Sequence, residues 1–120
     1  MPAPSVATAA LAEQLQQRAR ELEREIADAE LAAAPAGAGV TDRKDEADRL
    51  AATVIRDAEV ERDRAELREV YAALDRLAAG RYGECTQCGA PIAEARLKAM
   101  PSAALCISCQ AREEHRRNAP

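Results

Sequence analysis

Aromatic residues are nearly missing from this sequence. It has no Phe and no Trp, and Tyr71 and Tyr82 are its only aromatics in 120 residues. Without them a chain can bury helix faces but cannot build a large aromatic core. Glycine is sparse as well, at 5 residues. A β-sandwich, a Rossmann domain or a barrel is not expected of a chain so rich in Ala, Glu, Leu and Arg. No run of eighteen apolar residues occurs, which excludes a helical membrane span. Met1–Ala12 has neither a basic start nor a sustained apolar stretch, so a secretory leader is not expected. The expected compartment is the cytoplasm, where cysteine pairs serve more often as metal ligands than as disulfides.

Ala, Glu, Leu and Arg dominate what is present, the composition of long helices and coiled coils. The net charge is -4, from 17 basic and 21 acidic residues. Residues 1–34 and 35–80 are both acidic overall, and only residues 81–120 are weakly basic. A domain that reads DNA draws most of its affinity from phosphate contacts, so this profile argues against sequence-specific DNA binding.

Ser5–Ala34 reads as one helix, closed by Pro35. Thr8, Leu15, Leu22 and Ala29 repeat every seven residues, with Ala12, Ala19, Ile26 and Ala33 between them. This is a heptad seam with small residues at one position, which lets two helices approach closely. Pro35–Val40 breaks the pattern. Thr41 and Asp42 are good N-cap residues, and a second helix is expected from there to Ala79, with Gly80 as its C-terminal stop. Leu50, Val54 and Ala58 mark its early inner face, and Leu67, Val70, Leu74 and Leu77 its late one. Glu59–Glu66 is almost all charge, so packing is expected to loosen there. Two long helices joined by a short link fold back as an antiparallel hairpin.

All four cysteines lie in the last third. Cys85-Thr86-Gln87-Cys88 and Cys106-Ile107-Ser108-Cys109 are two C-x-x-C pairs separated by 17 residues. Two residues between thiolates let both sulfurs reach one ion from a tight turn, and Gly89 permits the backbone such a turn needs. Four thiolates fill a tetrahedral zinc shell and leave no place for a reacting water, so one structural Zn2+ per chain is expected. Disulfides would suit a secreted chain, a redox C-x-x-C belongs at a βαβ junction, and an iron–sulfur cluster is less common at this spacing. His115, the single histidine, lies beyond the second pair and reads as a surface residue. A short polar helix is expected from Ile107 to Arg117; its Arg112, Arg116 and Arg117 are offset by Glu113 and Glu114.

Residues 82–110 resemble the zinc finger of the DksA/TraR family of bacterial RNA polymerase regulators. The likeness rests on Tyr82, Gly83, Cys85, Cys88, Gly89, Ile92, Arg96, Leu97, Ala99, Pro101, Cys106, Ile107 and Cys109. It implies a coiled-coil hairpin on the N-terminal side of the finger. The expected fold is therefore all-α with a small zinc module: a hairpin over 1–80 with its tip near 35–47, then a four-cysteine finger and C-terminal helix over 81–120. DksA-like proteins carry Asp-x-x-Asp-x-Ala where the second helix begins, and Asp42-Arg43-Lys44-Asp45-Glu46-Ala47 stands at that place. The resemblance implies that the hairpin enters the secondary channel of RNA polymerase, where Asp42, Asp45 and Ala47 act on promoter complexes. The protein would be a monomeric, non-enzymatic regulator. Asp42 and Asp45 also have a plain reading, as an N-cap and a first-turn acid.

Two other functions fit parts of the sequence. A Gre-like cleavage factor would use paired carboxylates to hold Mg2+ and hydrolyse RNA, and would shorten the transcript of a stalled complex. A zinc-stapled coiled-coil adaptor would instead dimerise. The alarmone ppGpp binds between DksA-like regulators and polymerase through basic side chains near the finger. By spacing, those positions fall on Glu69, Met100 and Gln110, none of them basic, with Arg68, Arg96 and Lys98 close by. Regulation without a need for ppGpp is therefore expected, in the manner of TraR-like members.

Overall fold

The computed structural model describes residues 6–32 and 43–119. Four helices follow in order: α1 over Val6–Ala32, α2 over Arg43–Ala78, α3 over Glu94–Ala99 and α4 over Ile107–Asn118. Among the described residues there is no strand, only an isolated antiparallel bridge between Glu84 and Pro91. The expected all-α architecture with a small zinc module is the one found. The bounds of α1, α2 and α4 agree with expectation to within two residues wherever they are described. The break at Pro35–Val40 and the caps Thr41 and Asp42 lie outside the described residues.

The chain divides into two compact units, residues 1–18 with 69–120, and residues 19–68. The heptad reading of α1 holds in both. Leu15 in the first unit and Ala19 and Leu22 in the second are buried, with Leu22 fully so. Thr8, Ala12, Ile26 and Ala29, the remaining described seam positions, are half-buried. In the first unit α2 contributes Val70 and Ala73 to the core, both essentially sealed from solvent. Leu74 and Leu77 are half-buried there, as is Leu67 in the second unit. Alanine at positions 12, 19 and 29 of the seam lets a neighbouring helix approach closely, and Leu15, Leu22 and Val70 supply apolar area.

In the second unit, polar contacts fix the antiparallel register. Arg64 on α2 donates to the Glu30 carboxylate on α1 and forms an ion pair with it. Arg56 Nη1 donates to the Ala32 carbonyl at 3.5 Å, supplying one of the last carbonyls of α1 with a partner it cannot find within its own helix. Arg56, Val60 and Arg64, one helical turn apart, thus line one side of a cleft with Ala29 and Glu30 on the other.

The same register corrects the expected early inner face of α2. The Arg56 side chain reaches the carbonyl of Ala32, the last described residue of α1, so the start of α2 runs past the described end of α1. Leu50, Val54 and Ile55 are 67, 66 and 61 % exposed there. Ala58 is exposed as well. Periodicity shows which face of a helix is apolar, but not whether a partner helix is long enough to cover it. The expected loosening over Glu59–Glu66 is only partial, since Val60, Asp63, Ala65 and Glu66 are half-buried.

Helix α2 stops by a Schellman motif. The Arg81 N–H bonds the Arg76 carbonyl at 2.8 Å, and the Gly80 N–H bonds that of Leu77 at 3.2 Å. Gly80 has φ 74°, a left-handed conformation that a side chain would strain.

Leu22→Ala should cost about 2–4 kcal/mol of unfolding free energy, the range for emptying a buried leucine site. Leu50→Ala should stay within about 0.5 kcal/mol, as expected of a side chain with little to lose. Urea titration followed by circular dichroism separates them; equal costs would place Leu50 in the packed seam after all.

Candidate metal centre

The first knuckle is built from backbone bonds alone. The Cys85 N–H bonds the Ala90 carbonyl at 2.8 Å, and the Gly89 N–H returns to the Cys85 carbonyl at 2.9 Å. Gly89 closes this turn at φ 75°. The Ile92 N–H then bonds the Gly83 carbonyl at 2.7 Å, which folds the segment back on itself. The second knuckle opens α4: Cys106 is its extended N-cap residue, and the Gln110 N–H bonds the Cys106 carbonyl at 2.9 Å. A third element, α3, was not legible in the sequence, because its six residues are too few for an apolar period to show.

One stretch between the knuckles is held carbonyl by carbonyl. The Tyr82 hydroxyl donates to the Pro101 carbonyl at 2.8 Å. Arg76 Nη2 reaches those of Ser102 and Ala103 at 3.4 and 3.3 Å. The Thr86 N–H takes that of Ala104 at 2.9 Å, and Arg96 Nε takes that of Leu105 at 3.1 Å. Five consecutive carbonyls are thereby occupied just before Cys106. Burial raises the Tyr82 hydroxyl pKa above its usual value, and the nearby Arg76 charge offsets part of that rise.

These elements bring all four sulfurs within 4.8 Å of one another. Cys88 Sγ and Cys106 Sγ are 3.8 Å apart. A tetrahedral site with Zn–S bonds of about 2.3 Å needs sulfurs about 3.8 Å apart, so the cage has the size of a zinc shell. Cys85 and Cys109 are buried against Ile92, with Leu97 and Leu105 packed around them. So few apolar side chains make a small core, and the cluster supplies the remaining constraint. His115 is exposed in the last turn of α4 and lies outside the cluster.

The thiols titrate as an interacting set. N–H groups of Cys106 and Cys88 aimed at its sulfur bring Cys85 down to about 6. The Cys109 N–H lowers Cys106 in the same way. Sulfurs of Cys106 and Cys85 beside it push Cys109 up to about 12. Cys85 is thus the readiest thiolate to meet a cation, and metal binding must displace the proton that Cys109 holds.

The other expected site residues are not gathered here. Asp45 and Ala47 lie exposed in the first turns of α2, in the second compact unit, and Asp42 lies outside the described residues. Glu69 and Met100 are exposed, and Gln110 donates to Glu114. The cations close to them are engaged: Arg68 with Glu61, Lys98 with Glu94, and Arg96 with the Leu105 carbonyl.

Purified protein should contain one zinc per chain by elemental analysis. Cys88→Ser, or strong chelation, should unfold residues 81–119 while most helicity persists, because the seam of α1 and α2 lies outside the cage. Zinc affinity should fall as pH falls, since protons compete for every sulfur; a chelator competition that is flat between about pH 8 and pH 6 would contradict thiolate ligation.

Residues 80–115 match the pattern of the prokaryotic dksA/traR C4-type zinc finger. This assigns the cage as a structural zinc site. Protein TraR of Escherichia coli (strain K12) is 52% identical over 33 residues, 28% of this chain and 45% of TraR. The chain thus spans less than half the length of the curated relatives it matches. Solved structures extend the likeness to the helices. Transcription factor DksA2 from Pseudomonas aeruginosa is similar at a TM-score of 0.65 and 31% identity, over 93% of this chain and 83% of that one. An RNA polymerase binding protein and transcriptional regulator from Chlamydia trachomatis shares the fold at a TM-score of 0.62 and 18% identity, over 99% and 100% of the two chains. With 31% identity to DksA2 over 93% of its length and the matching finger pattern, the chain belongs to the DksA/TraR family.

Proposed function

We propose that this protein binds bacterial core RNA polymerase and regulates transcription by placing its hairpin tip in the secondary channel, reading no promoter sequence itself. The observation that carries this is the likeness to DksA2, described as a transcription factor, over nearly the whole chain. Net charge supports it, because an acidic chain gains little from contact with DNA phosphates. Residues 1–80 serve as the inserted hairpin and residues 81–120 as the zinc-stapled module. The regulator works as a cytoplasmic monomer and supplies no catalytic group of its own. Among the described residues no helix is long and apolar enough to cross a membrane.

Asp42, Asp45 and Ala47 are the residues that act on the polymerase. Asp45 and Ala47 are exposed at the start of α2, as a reaching tip requires. An isolated surface acid that merely initiates a helix contributes about 1 kcal/mol, and its loss would leave regulation intact. The protein acts without ppGpp. A polyphosphate needs Arg or Lys side chains, and the expected positions Glu69, Met100 and Gln110 supply none, with Glu69 repelling phosphate.

The double variant Asp42→Asn with Asp45→Asn should still bind core polymerase in a pull-down but lose its effect on promoter-complex lifetime. Unchanged regulation in that variant would sink the tip assignment. Transcript shortening in a stalled complex would replace it with a cleavage role, and a dimer in light scattering would favour the adaptor. Adding ppGpp to polymerase whose other alarmone site is disabled should leave the lifetime effect of this protein unchanged. A large ppGpp increment that needs this protein would refute alarmone independence.

A further inference from the structure

Arg76 is a cation on the last turns of α2, yet it serves the finger. Its Nη2 lies between the carbonyls of Ser102 and Ala103. Its Nε is buried and has no hydrogen-bond partner among the described residues. Arg76 is half-buried, and sealing its Nε–H without a partner is unfavourable. A cation kept at that cost serves to set a geometry more than to add net stability. The geometry in question is the approach to the second knuckle. Ala103 is buried, and its own N–H bonds the Met100 carbonyl at 3.0 Å. Three residues later comes Cys106, which with Cys109 must meet Cys85 and Cys88 inside a cage 4.8 Å across.

We infer that Arg76 is a positioning residue for the zinc centre, and that it couples metal binding to the end of α2. It touches no sulfur. It fixes the 102–103 backbone, and so the point from which Cys106 and Cys109 enter the shell. Outer groups that orient ligands in this way typically change metal affinity by about 10–100-fold when removed. The coupling is reciprocal, as binding linkage requires. When zinc is absent, the 101–105 stretch loses its anchor at Cys106, and Arg76 loses the fixed carbonyls that compensate its burial. The last turns of α2, Ala73–Ala78, then open more readily.

The test uses the full chain and zinc itself. Affinity is read by competition with a chromogenic chelator, beside Val70→Ala as a control for loss of packing in the same unit. Arg76→Ala should bind zinc about 10–100-fold more weakly, and Arg76→Lys should recover part of the loss. Val70→Ala should lower thermal stability and leave zinc affinity within about twofold. A second measurement needs no variant: amide exchange at 73–79 in the wild-type chain should speed up by a comparable factor when zinc is stripped. Wild-type affinity in Arg76→Ala, an equal loss in Val70→Ala, or metal-independent exchange at 73–79 would each overturn the assignment.

Discussion

Four sulfurs that must meet at one point impose the strictest geometric demand in this protein. No Phe or Trp is available to fill a core after Gly80, and Ile92, Leu97 and Leu105 are too few to hold some forty residues by burial alone. Backbone hydrogen bonds shape each knuckle, the Thr86 N–H to Ala104 carbonyl bond and the shared burial of Cys85 and Cys109 bring the two together, and a common ligand locks them. The carbonyl-by-carbonyl restraint of residues 101–105 follows from the same demand. A loose approach would leave Cys106 and Cys109 wandering, and the entropy lost in gathering them would weaken metal binding.

The two long helices obey a softer rule. A heptad seam tolerates exchange of one aliphatic side chain for another, provided the layer volume is kept. Polar contacts then choose among registers that the seam alone would accept. Arg64 with Glu30 and Arg56 with the Ala32 carbonyl perform that selection in residues 19–68. Both contacts are exposed, so each contributes little to stability, and their value lies in discriminating one alignment from its neighbours.

Much of this was legible in the sequence, for identifiable reasons. The seam of α1 could be read because seven-residue spacing survives any tertiary context, and Leu15, Ala19 and Leu22 are buried as that spacing requires. The cage could be read because C-x-x-C spacing is itself a statement about sulfur geometry. Gly80 could be read because few other residues end a helix in a left-handed turn. What could not be read depended on lengths and long-range partners. Leu50 and Val54 have the right period but lie beyond the described end of α1. Arg76 looks like any surface arginine of a charged helix, and its carbonyl partners lie 26 and 27 residues away. Tyr82 hides in the same manner, 19 residues from Pro101.

The placement of Arg76 has a consequence for how this chain can vary in length. Each residue added to a helix turns everything beyond it by about 100° and advances it about 1.5 Å. Val70 and Ala73 must face the seam while Arg76, three residues on from Ala73, faces the carbonyls of Ser102 and Ala103. One residue gained or lost between Ala73 and Arg76 would keep the seam and swing the guanidinium about a quarter-turn away. Farther back along α2, whole heptads could be gained or lost in step with α1 without disturbing that phase. The helices are thus free to differ in length among relatives in steps of one heptad, whereas the stretch from Val70 to Gly80 that sets this junction is counted residue by residue.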